Sequence, residues 1–129
     1  GYDTHAGQLP GHGDLLGELS SSLKAFMDDM KQSSLEDQIL VMCFSEFGRR
    51  VEENDSLGTD HGTAGPVLLA GTHLAERSYG QLPSLTDLDD GDLKFHLDFR
   101  QLYSVILTGW LELELPQLLR GFRMDGLLK

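Results

Sequence analysis

Residues 38–44, QILVMCF, are apolar at nearly every position and are followed at once by the polar run SEFGRR at residues 45–50. A short apolar run without alternation is typical of a strand covered on both faces, as in a parallel sheet. The polar residues that come next end the pattern. The stretch therefore predicts one buried strand that leads directly into a polar turn.

The segment before this strand, residues 12–32, predicts an amphipathic helix because its apolar side chains recur at helical spacing. These side chains are Leu15, Leu16, Leu19, Leu23, Phe26, Met27 and Met30. A helix followed by a buried strand is one arm of a layered α/β fold. The predicted fold class is α/β, with a partial doubly wound, mostly parallel sheet flanked by helices.

Downstream of the strand, residues 45–65 predict a long polar loop, of a length that is usually functional or mobile. Residues 66–71, PVLLAG, predict a second buried strand, and a short strand is predicted around Glu76–Tyr79. Residues 81–97 predict an extended acidic excursion in which a hairpin is one alternative. A last helix is predicted over residues 98–111, with Asp98 as its N-cap.

Length, net charge, apolar runs and cysteine content limit the kinds of partner and the environment that this chain suits. The chain has 129 residues, which fits one domain, and a formal net charge of -11. This charge disfavours nucleic acid and anionic membrane surfaces as partners. The sequence contains no apolar run of the ~18 residues expected of a membrane span. Cys43 is the single cysteine, so an internal disulfide is excluded and the redox compartment stays open.

The candidate metal ligands are acids and histidines in the loops that flank the predicted strands: Asp3, His5, His12, Glu46, Asp60 and His61. Imidazole and carboxylate ligands suit zinc, manganese or iron, and such sites keep a position open for water or substrate. Glu46 follows a strand end, where open α/β sheets place their working sites. The structural alternative is that these residues only form turns, in which Asp side chains bond to their own backbone.

Arg49 follows the same strand end and is the candidate for binding an anionic substrate through its planar guanidinium. The alternative is that Arg49 and Arg50 only pair with Glu52 and Glu53.

Four motifs occur in a fixed order: GYDTH at residues 1–5, H-x-x-L-L-x-E-L at 12–19, SEFGR at 45–49 and GTDHG at 58–62. Their order and spacing resemble a bacterial family, number 1501 among the domains of unknown function. That family belongs to the superfamily of alkaline phosphatases, sulfatases and phosphoglycerate mutases. The resemblance is close over about residues 1–80 and looser beyond them.

The resemblance implies a doubly wound α/β fold in which loops at strand ends hold two divalent metal ions. It also implies a Ser, Thr or Cys nucleophile that attacks phosphate or sulfate esters, and metal ions that polarise the ester. Carried over by position, the GYDTH segment, Glu46 and the Asp60–His61 pair match metal-binding segments. Phe47 stands where a second-metal histidine is expected, and no residue of this chain matches the nucleophile.

Because the superfamily domain is much longer, residues 1–129 are expected to form a single domain that is the carboxy-terminal portion of a larger one, inactive alone. An exposed sheet edge and apolar face would then favour a homo-oligomer or association with the remaining portion. The alternative is a non-catalytic, self-associating α/β module without bound metal. The location stays open, with export to the periplasm as one alternative.

Overall fold

A computed structural model describes residues 1–75 and 78–129 of the chain. Its helices and strands are α1 (Gln8–Gln32), β1 (Val41–Cys43), β2 (Gly48–Glu53), β3 (Thr59–Gly62), β4 (Leu68–Ala70), β5 (Leu88–Asp89), β6 (Asp92–Leu93) and α2 (Phe99–Val105). A π-helical turn at Ile106–Trp110 continues α2, and single 3-10 turns lie at Glu36–Gln38 and Gln117–Leu119. The predicted mixed α/β class is confirmed at this level. The strand predicted around Glu76–Tyr79 begins in residues outside the described ones.

All strand pairs in the described ranges are antiparallel and two-stranded: β1 with β4, β2 with β3, and β5 with β6. The two strands predicted from apolar runs are both present and pair with each other, with Val41 opposite Ala70 and Cys43 opposite Leu68. A mostly parallel sheet was predicted, but these two strands pair antiparallel. Both strands are less covered than predicted, since β1 is half-buried throughout and Leu68 of β4 is 48% exposed. An apolar run does not encode the direction of the neighbouring strand.

The predicted long helix is confirmed, and α1 begins at Gln8, four residues before the predicted start at His12. Pro10 and Gly11 suggested a loop, but Pro10 falls in the first turn, where a missing N–H costs the helix no hydrogen bond. Gly7 precedes the helix in the left-handed conformation, with φ 50° and ψ 40°. The main-chain N–H groups of Gly7 and Gln8 donate to the carbonyls of Ser56 (2.8 Å) and Leu57 (2.9 Å).

One stripe of α1 is half-buried, at His12, Leu15, Leu19, Leu23, Met27 and Met30. No residue of the 25-residue helix is fully buried, and Leu16 and Phe26 are exposed. The apolar face of α1 is therefore only partly covered in the described part of the chain.

Residues 45–65 are not a continuous loop, because β2 and β3 form a hairpin within them. The prediction missed it since β2, with the sequence GRRVEE, has no apolar alternation. The turn depends instead on Asn54, whose Oδ1 accepts the N–H groups of Ser56 (3.0 Å) and Gly58 (3.1 Å). A hydrogen-bonded Asx turn thus replaces the usual hydrophobic signal.

The carboxy-terminal part contains the deepest apolar burial. Leu119 and Leu127 are the buried apolar residues among those described, and the Ser104 hydroxyl donates to the Leu119 carbonyl (3.3 Å). The N-cap prediction for Asp98 is confirmed, since its carboxylate accepts the Arg100 N–H (2.9 Å). A hairpin, β5–β6, lies within the predicted acidic excursion.

Within the described ranges, no helix combines the length and the apolar character that a bilayer crossing requires.

Candidate metal centre

Three of the predicted ligands meet at one exposed point of the molecule. The Nε2 atoms of His5 and His61 lie 2.9 Å and 2.7 Å from the same carboxylate oxygen, Oδ1 of Asp3. One potential ligand atom from each residue lies within 4.8 Å of the other two. The side chains are 65% exposed for Asp3 and 44% for each histidine, so solvent and small solutes reach the cluster.

The amino-terminal segment is held against the β2–β3 turn by contacts to its main chain. The Asn54 Nδ2 group donates to the His5 carbonyl (3.1 Å), two residues before the helix-capping contacts of Gly7. Gly58 allows this close approach, because a Cβ atom at this position would lie 2.2 Å from the His5 carbonyl oxygen. The backbone that carries Asp3 and His5 therefore rests directly on the turn that precedes His61.

Side-chain amide contacts fix the same junction from the helix side. Gln8 donates through Nε2 to the Thr4 carbonyl (3.1 Å), and its Oε1 accepts the Thr59 hydroxyl (2.8 Å). One glutamine thus bridges the residue between Asp3 and His5 and the first residue of β3. This bridge sets the spacing between the two ligand-bearing segments.

Arg49 joins these segments a second time. Its Nη1 group donates to the Thr59 carbonyl (2.8 Å) and its Nη2 group to the Tyr2 carbonyl (3.0 Å). Tyr2 directly precedes Asp3, and Thr59 lies two residues before His61. The guanidinium predicted to bind substrate therefore has a structural role at the base of the cluster, and substrate binding by Arg49 stays a prediction.

An aromatic ring covers one face of His61. The Phe47 ring stacks on the imidazole with centroids 3.7 Å apart and planes at 13°. The Arg49 guanidinium carbon lies 5.1 Å from the Phe47 centroid, within cation–π range. On the cluster side, the imidazoles of His5 and His61 have centroids 4.7 Å apart. His61 is thus packed between a phenyl ring and a second imidazole.

The two imidazoles also set the ionisation of the shared carboxylate. Hydrogen bonds from His61 and then from His5 lower the pKa of Asp3 below its ordinary value of 3.8. Hydrogen bonds to a carboxylate stabilise its charged form. Asp3 is therefore ionised at neutral pH.

Asp60 lies beside the cluster rather than in it. Its Oδ1 atom is 3.8 Å from Nδ1 of His5, the ring nitrogen that faces away from Asp3, and it accepts the Asn54 Nδ2 group (3.1 Å). Metal-ligating histidines commonly direct their other ring nitrogen at a carboxylate, which orients the ring. At 3.8 Å the two atoms are within ion-pair range without a hydrogen bond, and Asp60 lies on the side of His5 where an orienting carboxylate would be needed.

The remaining two predicted ligands lie apart from these groups. His12 is on α1, and its Nδ1 atom is shielded from solvent without a hydrogen-bond partner in the described part of the chain. Glu46 is exposed in the connection between β1 and β2, and no polar contact links it to the cluster among residues 1–75 and 78–129. The structure brings together half of the predicted set.

The cluster fits one divalent ion by its chemistry. Two imidazole nitrogens and one carboxylate oxygen are ligands that zinc, manganese and iron accept. Ligand atoms ~2.0–2.2 Å from zinc lie roughly 3.4 Å apart in a tetrahedron. The present separations of 2.7 Å and 2.9 Å around Asp3 are hydrogen-bond distances, so each imidazole would give up its shared proton and draw back by a few tenths of an ångström to admit an ion. Exposure on the solvent side leaves room for a further ligand.

Four residues important for this geometry were not predicted from the sequence as supports of the cluster: Gln8, Phe47, Asn54 and Gly58. The signal for Asn54 and Gly58 is the segment NDSLG at residues 54–58, in which Asn and Gly are typical turn residues. For Phe47 the sequence offered only its place in SEFGR. Stacking partners are distant in sequence and leave no periodic pattern.

The family described as Protein of unknown function (DUF1501) matches residues 1–103, which include the whole cluster and its supports. Neither the curated proteins nor the solved structures gave a match to the chain.

Proposed function

The chain belongs to the DUF1501 family, and we propose on that premise that it carries part of the metal site of a hydrolase acting on phosphate or sulfate esters. The observation that carries the proposal is the convergence of Asp3, His5 and His61, whose ligand atoms lie within 4.8 Å of one another. These residues come from two segments separated by more than 50 residues in sequence. Hydrogen bonds of Asn54, Gln8 and Arg49 hold the backbone of these two segments together.

The individual residues have distinct tasks in this proposal. Asp3, His5 and His61 bind a divalent ion, zinc or manganese, and Asp60 orients the His5 ring. A bound ion would polarise an ester oxygen and lower the pKa of a bound water. The anionic substrate approaches from the solvent side, since both histidines are half-exposed there.

We extend the proposal to the architecture of the whole enzyme. The described strands form short antiparallel pairs, and few apolar side chains are fully buried in the described part of the chain. We propose that the chain is the carboxy-terminal portion of an alkaline-phosphatase-like domain, and that the remaining portion supplies the nucleophile. The order of GYDTH, the long helix, SEFGR and GTDHG supports this placement.

The decisive test is the metal affinity of the purified chain. We expect the wild type to bind Zn²⁺ or Mn²⁺ in isothermal titration calorimetry, and His61→Ala to weaken binding by more than ~100-fold, because loss of a direct ligand exceeds the 10–100-fold cost of losing an outer contact. Asp60→Ala is expected to weaken binding by about tenfold, because Asp60 only orients His5.

His96→Ala is the matched control, since His96 is an exposed histidine outside the cluster. Equal metal affinity in wild type and His61→Ala would exclude the site. Hydrolysis of p-nitrophenyl phosphate and sulfate by the chain, alone and in the presence of the remaining portion, tests the reaction class. Strong metal binding without hydrolysis in either setting would leave the metal site standing and contradict the hydrolase.

A second candidate function is supported by the partly covered face of α1. Phe26 and Leu16 are exposed on this helix, at 43% and 46%. Exposed apolar patches are typical of interaction surfaces. A non-catalytic, self-associating module predicts a dimer in light-scattering chromatography that Phe26→Ser weakens, together with no metal binding. A monomer at micromolar concentration would exclude this candidate.

A further inference from the structure

The resemblance to the alkaline phosphatase superfamily implies two metal ions. The residues of this chain supply ligands for one ion but not for a second. Paired ions in hydrolases lie ~3.5–4 Å apart and need ligands on both sides of the pair. In the described ranges a single group of three potential ligands is present, at Asp3, His5 and His61. Asp60 lies on the Nδ1 side of His5, 3.8 Å from that nitrogen, and accepts the Asn54 amide on the same oxygen, while Glu46 has no polar link to the cluster among the described residues.

Two side chains that offer no metal ligand, Phe47 and Arg49, occupy the space beside His61. The Phe47 ring lies 3.7 Å from the imidazole and is nearly parallel to it, so it closes that face with an apolar surface. Behind this ring, the Arg49 guanidinium is tied to the carbonyls of Tyr2 and Thr59. Neither a phenyl ring nor a guanidinium offers a lone pair to a metal ion, so these two side chains supply no ligand for a second one.

The stacking of Phe47 on His61 also fixes the orientation of the imidazole. His61 makes a 2.7 Å contact with Asp3 through one edge, and the Phe47 ring restricts rotation of the imidazole about its side-chain bonds. Because Arg49 holds both main-chain segments and also lies over Phe47, the ring and the backbone share one support. Preorganised ligands bind a metal more tightly, because their orientation is fixed before the ion arrives.

We propose that the residues of this chain bind one divalent ion rather than two, and that Phe47, with Arg49 beside it, is a positioning residue that fixes the orientation of the His61 ring. This inference rests on the proposed metal site. It adds the number of ions bound and the residue that positions His61. It assigns Phe47 no contact with the substrate.

The test is a Zn²⁺ titration of the wild-type chain by calorimetry, together with the proton spectrum of the His61 ring before any metal is added. We expect one equivalent of Zn²⁺ and an upfield shift of the His61 ring protons from the stacked phenyl ring. Phe47→Leu should abolish the upfield shift and weaken Zn²⁺ binding by about tenfold, as is typical for loss of an outer-shell support. Phe47→Tyr should retain both properties.

Phe44→Leu is the matched control, because Phe44 is a nearby exposed phenylalanine whose ring contacts Tyr103 instead. Two equivalents of Zn²⁺ in the wild type would overturn the inference while leaving the proposed metal site intact. Absence of any binding would overturn the ion count together with the proposed function. An unshifted His61 ring in the wild type would overturn the positioning role, and neither wild-type measurement depends on a variant that folds.

Discussion

The β2–β3 hairpin with the amino-terminal segment and the carboxy-terminal part around Leu119 are stabilised in different ways. The first is held by hydrogen bonds and close backbone approaches, such as Asn54 and Gly58 against the His5 carbonyl. The second buries Leu119 and Leu127 and has a helix with a complete capping box at Asp98. The candidate site therefore lies in the part of the chain with directional contacts, and not in the part with apolar burial.

The two kinds of contact differ in how strongly small displacements of the chain weaken them. Apolar burial is non-directional and tolerates small shifts, whereas a hydrogen bond weakens steeply when its angle or length changes. A directional framework holds ligand atoms precisely, which a metal site requires. It also contributes less free energy of unfolding per contact, since a net hydrogen bond is worth ~0.5–1.5 kcal/mol.

Leu119→Ala is expected to have the largest effect, because Leu119 is only 8% exposed. Removing a buried leucine side chain costs about 2–4 kcal/mol in free energy of unfolding. Urea unfolding measures this loss. Leu118→Ala is the control, since Leu118 is 78% exposed and should change stability by less than ~0.5 kcal/mol. If Leu119→Ala also displaced the His61 ring resonances, the two regions would not be independent.

Gly58→Ala is expected to have an intermediate effect that is concentrated at the site. The new Cβ atom would lie 2.2 Å from the His5 carbonyl oxygen, so the amino-terminal segment must move away from the turn. We expect a loss of about 1–3 kcal/mol in free energy of unfolding and loss of the contacts between Asp3 and the two histidines. Calorimetric unfolding and the histidine ring spectra measure the two effects.

The control for this variant is Gly17→Ala. Gly17 lies on α1, where an added Cβ meets nothing within 4 Å, so the substitution should stabilise the helix by up to ~1 kcal/mol. A Gly58→Ala chain with unchanged histidine spectra would show that the close approach does not position the ligands.

The smallest expected effect is a loss of stability of helix α2 at acid pH, when the carboxylate of its N-cap, Asp98, becomes protonated. The side-chain and backbone hydrogen bonds of Arg100 lower the pKa of Asp98 from 3.8 to about 2. Because the folded-state pKa lies below the unfolded value, this stabilisation is complete above pH 3.8 and is lost as the pH falls towards about 2. We expect the first turn of α2 to loosen in that window. The chemical shift of the Asp98 carboxyl carbon in NMR measures the titration.

Asp98→Asn is the control for the acid titration, because the amide oxygen keeps the cap acceptor and removes the titration. Its α2 resonances should not change between pH 3.8 and about 2. The same direction applies to Asp3, whose pKa is lowered by the two histidines, so its contacts should survive below pH 3.8. Loss of the Asp3 contacts while the pH is still above 3.8 would contradict this direction.

The sequence predicted the elements that depend on local patterns. Helix α1 follows from apolar periodicity, β1 and β4 follow from apolar runs, and the Asp98 cap follows from residue chemistry. These signals lie within a few residues of the structure that they specify. The meeting of Asp3, His5 and His61 agrees with the placement of the motifs, but that placement came from a resemblance and not from periodicity.

The sequence did not predict what depends on pairing between distant segments. The antiparallel direction of β1 and β4 is set by how the intervening chain returns. The hairpin β2–β3 is polar and depends on Asn54, so hydrophobic periodicity could not find it. Glu46 and His12 share a residue type with the ligands, but their distance from the cluster depends on the three-dimensional path of the chain.

The capping of α1 has a further consequence for local opening. The helix has no side-chain cap at Gly7, and the carbonyls of Ser56 and Leu57 accept its first N–H groups instead. The start of the helix and the turn that leads to His61 therefore belong to one cooperative unit. Fraying of the first helical turn, which in most proteins is a harmless local event, would here release the hairpin turn and separate the histidines from the shared carboxylate.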